Sequence, residues 1–132
     1  MKKKERKEVN KMNVLLIIGI VVVMGVSAQI FMKKGMNEVG EVSLKEMLSS
    51  KIFNVFLNKF VFVGVALYGL SSILYLVAIS MEDVSFVYPL IGSAYILTTI
   101  FAWIFFRERV TTMKIIGILL ISVGAYFVVM KW

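Results

Sequence analysis

The 132-residue sequence contains no cysteine, no histidine and a single proline. Without Cys or His there is no structural zinc site, no thiolate nucleophile, no disulfide scaffold and no Ser-His-Asp triad. The missing thiols also leave nothing in the chain to report a redox compartment. Charge is scarce as well, at 17% of residues against about 25% in an average soluble chain. Apolar residues take the remaining place, at 60% against roughly 45–50%. That exceeds what a soluble core of this size holds, and it points to lipid as the solvent. By length the chain is one domain at most.

Four apolar runs carry no charged residue: Val14–Met32, Phe60–Ser80, Val84–Phe106 and Ile115–Met130; the last lengthens if Thr112 and Met113, beyond Lys114, join it. A spanning helix needs about 20 apolar residues, within a range near 17–25. Lipid demands that backbone polar groups pair internally, so the runs are helices. The expected fold is an all-α membrane protein with four transmembrane helices in a bundle, at about 14–32, 60–80, 84–106 and 113–130. Residues 1–12 read as a basic solvated tail and 13–132 as a single transmembrane domain. Trp132 reads as an interfacial anchor. Val26-Ser27-Ala28 is close to a signal-peptidase pattern, but the run continues to Met32 and then meets Lys33 and Lys34, which favours a retained span.

The one long connection contains Ser43-Leu44-Lys45-Glu46, a capping box. Leu44, Met47, Leu48, Ile52, Val55 and Phe56 then recur at helical spacing. This predicts an interfacial amphipathic helix over about 43–56, or an early start of the second span. The links Met81-Glu82-Asp83 and Arg107-Glu108-Arg109-Val110-Thr111 are short, so the third helix must touch both neighbours.

Net charge is +7. Six basic residues lie in the first eleven: Lys2, Lys3, Lys4, Arg6, Lys7 and Lys11. Most others flank apolar runs, which points to membrane lipid headgroups and not to nucleic acid. With the N-terminus inside, seven basic residues fall inside and eight outside. The positive-inside rule sees almost no difference, and such a balance permits both orientations.

Polar groups inside spans are costly, so their placement is informative. Ser85, Tyr88, Gly92, Tyr95 and Thr99 form one stripe on helix three. Gly64, Tyr68, Ser71 and Tyr75 form another on helix two. Facing each other, the stripes would line a cavity, with tyrosine offering an aromatic face and a hydroxyl. Each residue alone reads more readily as packing; the paired stripes together read equally as packing or as a cavity lining. Pro89 lacks an amide and crowds the Ser85 carbonyl, which predicts a kink. Gln29, with Ser27, is the most polar point of helix one and suits bridging between helices or contact with substrate. Gly117 and Gly124 lie two turns apart on one face of helix four and suit close packing, including between subunits. Glu82 and Asp83 are placed to cap helix three, and Glu108 to pair at the surface. No Asp or Glu lies inside any span, which argues against proton-coupled drug antiport. With no intramembrane acid, base, nucleophile or metal set, the chain does not read as an enzyme, and no cofactor or metal is expected.

Leu74 to Val128 resembles the drug/metabolite transporter superfamily, and more narrowly its EamA-like single-domain members. The carrying features are the acidic hairpin, Val87-Tyr88-Pro89-Leu90, the run into Phe106-Arg107-Glu108-Arg109-Val110-Thr111, and Ile116-Gly117 through Gly124. Ala28-Gln29-Ile30-Phe31-Met32-Lys33-Lys34-Gly35 is similar to the end of helix one in that group. Two sets of small relatives bracket the chain. Small multidrug resistance proteins share a tyrosine matching Tyr88 and glycines like Gly117 and Gly124, but they use a helix-one glutamate where this chain has Gly25 and Val26. The small subunits of the aminoarabinose-phosphoundecaprenol flippase also lack that glutamate and carry a glutamine near the end of helix one.

The resemblance implies a dimeric transporter working by alternating access, either as a homodimer or as a heterodimer with a similar four-helix chain. The leading expectation is a small solute bound at Gln29, Tyr68, Tyr88, Pro89 and Tyr95. The runner-up is a flippase or flippase subunit for a polyprenyl-phosphate-linked sugar, with Lys33, Lys34, Arg107 and Arg109 contacting phosphate. A third is a non-transporting accessory protein that docks through Gly117 and Gly124.

Overall fold

The computed structural model describes residues 2–130; Lys131 and Trp132, the expected anchor, lie outside them. Among the described residues every regular element is a helix: α1 Lys2–Val39, α2 Leu44–Met47, α3 Lys51–Leu57, α4 Lys59–Met81, α5 Val84–Ile91, α6 Ala94–Phe106 and α7 Thr112–Val129. Four stretches are long and apolar enough to cross a membrane: Glu5–Val39, Lys59–Met81, Val84–Phe106 and Thr112–Val129. The chain is therefore an all-α membrane protein with four spans.

The first helix runs past both expected ends. The basic segment forms its opening turns, with Glu5 to Met12 exposed. Lys, Arg and Glu are good helix formers, and nothing breaks the chain before Gly40. Gly40 ends the helix at φ 91°, its amide donating to Met36 O at 2.9 Å, a left-handed stop that glycine adopts without strain. At 1.5 Å per residue the helix is about 57 Å long, nearly twice the ~30 Å hydrocarbon layer, so it projects beyond the bilayer.

Helix α1 packs chiefly against the antiparallel α4. Two glycines make this close approach possible. A Cβ on Gly64 would lie 2.8 Å from Ala28 O and 2.9 Å from Met32 N. A Cβ on Gly35 would lie 2.8 Å from Val61 N and 2.7 Å from Asn58 Oδ1. Further along the seam, the buried Ser71 hydroxyl donates to Val21 O at 3.0 Å. A buried cluster of Val14, Ile18, Val22 and Val26 then meets Ala78 of α4 and Phe86 and Val87 of α5.

The amphipathic segment is two short helices in place of one. Its capping box forms as the spacing predicts: Ser43 N donates to Glu46 Oε2 at 2.9 Å, and Glu46 N donates to Ser43 Oγ at 3.4 Å. The Lys51 ammonium bonds the same carboxylate and, with Ser43, holds it at about 2, below the usual carboxylate range. The break follows because Ser49 turns its hydroxyl onto Glu46 O at 2.8 Å, a local bond that competes with helix propagation. Leu44 and Leu48 are 85% and 91% exposed, so the apolar face of α2 stays open.

Asn58 separates α3 from α4, with ψ 122°, and caps α4 by accepting from Phe60 N at 2.9 Å and Val61 N at 3.2 Å. Its amide donates to Glu38 Oε2 at 2.9 Å, tying the ends of α1 and α4 together. Asn58→Ala is expected to lower stability by about 1–2 kcal/mol, read as a lower melting temperature in detergent with the helical circular dichroism preserved.

The third span is broken. Pro89 sits inside α5, and the chain turns at Gly92 and Ser93 before α6. The Gly92 amide reaches Pro89 O at 3.0 Å, a tightened bond, and Ser93 N reaches Leu90 O at 3.1 Å. The expected kink is thus an interruption one turn beyond the proline. Asp83 is the N-cap residue of α5 with no side-chain capping bond; its carbonyl accepts from Phe86 N and Val87 N. Arg107 closes α6 at φ 52°, and its amide and that of Glu108, at 3.3 Å, both return to Ala102 O, a left-handed end carrying a cation at the negative pole. Thr111 caps α7 by accepting from Lys114 N.

Candidate functional site: a cavity at the α1–α5–α6 junction

Gln29 lies on the α1 face that turns toward the broken span. Its Oε1 accepts from Thr98 Oγ1 at 3.5 Å, the polar bridge between α1 and α6. A cavity of about 480 Å³ opens beside this pair, lined by Gln29, Tyr88, Pro89, Tyr95, Thr98 and, from α7, Ile121 and Ala125. A second, of about 190 Å³, shares Gln29 and Tyr88 and is walled by Tyr68, Ser71 and Tyr75 of α4. A third, of about 180 Å³, shares Thr98 with the large cavity and leads to Glu108, Arg109 and Lys114. Thr98 therefore borders both the central cavity and a charged vestibule at one end of the bundle.

All five residues expected to touch substrate line these spaces. Gln29 and Tyr88 belong to both central cavities, Pro89 and Tyr95 to the larger, and Tyr68 to the smaller. The two polar stripes meet across α1, whose Val21, Gly25 and Gln29 stand between them. Gly64 leaves its stripe to serve the α1–α4 seam, and Ser85 lines neither cavity. Thr99 donates to Tyr95 O at 2.8 Å and lines the vestibule. The residue turned to Gln29 is Thr98, which straight helical counting passed over. From Tyr95, within α6, both a three- and a four-residue step stay on one face, and the rotation of α6 against α1 selects Thr98.

The basic residues divide. Arg109 lines the vestibule, while Arg107 is exposed at the α6 cap. Lys33 stands one turn past Gln29, within about 40° on the same face. Lys34 is about 140° from Gln29 around α1 and stands over the Phe60 ring at 4.2 Å, away from the cavity. Glu108 lines the vestibule; among the described residues the one ion pair is Lys51–Glu46. Gly117 and Gly124 have nothing within 4 Å of a built Cβ, so this chain offers them no neighbour.

The lining of both central cavities is neutral: hydroxyl, amide, aromatic and aliphatic groups. Such a surface recognises by hydrogen bonds and ring stacking, with charge supplied only at the vestibule. Sequence reasoning missed Gly35, Asn58, Thr98 and the α7 wall. Gly35 and Asn58 lie outside the apolar runs, and the α7 wall is aliphatic, indistinguishable by composition from a lipid-facing surface.

The chain is 30% identical over 109 residues to a protein of Proteus mirabilis (strain HI4320) named probable 4-amino-4-deoxy-L-arabinose-phosphoundecaprenol flippase subunit ArnF, an alignment covering 79% of this chain and 82% of that one. No solved structure matches it. Residues 10–130, nearly the whole chain and all four spans, match the EamA-like transporter family, and the chain belongs to that family.

Proposed function

We propose that the chain is one subunit of a dimeric transporter that moves a lipid-linked, phosphate-bearing substrate across the membrane by alternating access. The observation that carries this reading is the shared Thr98: it borders both a neutral, hydroxyl- and aromatic-lined cavity and a vestibule bearing Arg109 and Lys114. A polar headgroup such as a sugar finds hydrogen-bonding partners at Gln29, Tyr88 and Tyr95. Its phosphate finds Arg109, with Lys33 and Arg107 at the same end of the bundle. The broken third span puts irregular backbone at the cavity wall, as alternating-access carriers do at their substrate sites. The relative's printed name, a flippase subunit for a phosphoundecaprenol-linked sugar, supports the same substrate class.

The dimer is supported by what one chain leaves open. Tyr88 and Tyr95 are 67% and 58% exposed, so the large cavity lacks a wall. The Gly117–Gly124 face is free for a second four-helix chain, either another copy or a sister subunit.

Ligand-dependent melting of the detergent-purified protein tests the reading, because a ligand that binds the native state stabilises it by mass action. Polyprenyl-phosphate lipids are expected to raise the melting temperature, while water-soluble amines and metabolites leave it unchanged. Stabilisation by a soluble compound alone would replace this reading with a solute exporter. A stable hetero-complex with no ligand response would identify an accessory subunit.

A further inference from the structure

On the far side of α1 from Gln29, a separate groove of about 310 Å³ runs along the outside of the α1–α6 seam, lined by Ser27, Ile30, Phe31, Lys34, Phe101 and Phe105. Ser27, Ile30, Phe31 and Lys34 follow at three- and four-residue steps, so they form one stripe. Phe101 and Phe105, one turn apart on α6, form the opposite wall, with ring centroids 5.9 Å from each other.

The groove has a direction. Lys34 lies two residues past the end of the apolar run, at the water boundary. Ser27 lies seven residues deeper, about 10 Å into the hydrocarbon. The cation is positioned: Phe31 stacks on Phe60 at 6.4 Å, and Lys34 Nζ lies 4.2 Å from the Phe60 centroid. Lys59 Nζ lies 5.2 Å from the same ring. Two ammonium groups thus lie against one ring. Glu38, one turn beyond Lys34 on α1, accepts from Asn58, and the one ion pair among the described residues is elsewhere. Two cations around one ring, neither in an ion pair among the described residues, suit an anion at the mouth of an apolar slot.

We propose that this groove binds one anionic membrane phospholipid, its phosphate at Lys34 and Lys59 and an acyl chain along Ile30, Phe31, Phe101 and Phe105. The groove is charged at its water end, at Lys34, and lined mainly by Ile30 and aromatic rings within the hydrocarbon, as a lipid in that leaflet requires. The site is independent of the transported substrate, because it lies on the opposite side of the α1–α6 contact from the cavity.

Native mass spectrometry of the chain, released from nanodiscs of phosphatidylcholine with a minor fraction of phosphatidylglycerol, tests this. Preferential retention of one phosphatidylglycerol per chain is expected. Lys34→Gln with Lys59→Gln should weaken retention on the order of tenfold, the loss of a hydrogen bond to a charged group. Ile30→Trp, which fills the groove and keeps the charge, should weaken it similarly. Soluble glycerol phosphate should not compete, since it lacks the chain. Equal retention of phosphatidylcholine, or unchanged retention in either variant, would overturn the proposal. A change in dimer population with Ile30→Trp and none in lipid retention would make the groove a protein contact and overturn it as well. Lys34 and Lys59 are exposed, so the glutamine variants keep the fold, and lipid retention is read without reference to transport.

Discussion

Gly64→Leu is expected to abolish the folded bundle. Any Cβ there meets backbone, Ala28 O at 2.8 Å and Met32 N at 2.9 Å, as well as Met32 Cγ at 2.6 Å. A flexible side chain can move aside, but helix backbone cannot, so α1 and α4 must part. Separating them breaks the longest helix contact in the chain and the Ser71–Val21 hydrogen bond. Overpacking of a well-packed site costs about 1–3 kcal/mol, and a clash with backbone stands at or above the top of that range. The check is yield and melting temperature in mild detergent, compared with Gly117→Leu. That control adds the same side chain where nothing lies within 4 Å. It should leave the single chain's melting unchanged and, if the dimer forms through that face, shift the protein toward monomer. Equal stability of Gly64→Leu and the native chain would mean the α1–α4 seam is not as close as described.

Tyr88→Ala combined with Tyr95→Phe is expected to remove transport while the protein still folds. Tyr88 borders both central cavities, which makes it the aromatic group proposed to contact substrate in either. Truncating a central aromatic anchor typically costs 2 kcal/mol or more of binding, about 30-fold or greater. Tyr95→Phe removes only a hydroxyl from the larger cavity, and the pair together should reduce uptake into vesicles by about 100-fold. Both side chains are exposed on the single chain, so neither change leaves a hole in its core, and melting of the ligand-free protein should hold. Undiminished transport by the double variant would remove these tyrosines from the path. Loss of melting stability alongside transport would make them packing residues.

Much of the architecture was legible in composition. Uncharged apolar runs of bilayer length can be satisfied only as helices, and their number is the number of spans. The capping box at Ser43–Glu46 was legible because it is a bond between near neighbours. The five proposed substrate contacts were legible because hydroxyls, an amide and a proline are expensive in lipid and stand out there. Helix ends were less so. The Lys-rich opening segment of α1 looked like a tail because charge marks water, while charge does not prevent helix.

The local and solvent-driven features are therefore written in the residues: four helices, the antiparallel order of those joined by short links, a basic end, and a polar stripe on each of two spans. Which of those residues meet is a property of the packed bundle. Gly64 and Gly117 carry the same side chain, yet one lies against backbone and the other faces open space. Lys33 and Lys34 are adjacent, yet 100° of helix rotation puts one on the cavity face and the other in the outer groove. Thr98 and Thr99 both lie one turn beyond Tyr95 on α6, and the rotation of α6 against α1 turns Thr98 to Gln29. Pairwise encounters between helices depend on rotation and crossing, which sum over the whole bundle, and no stretch of sequence encodes them locally.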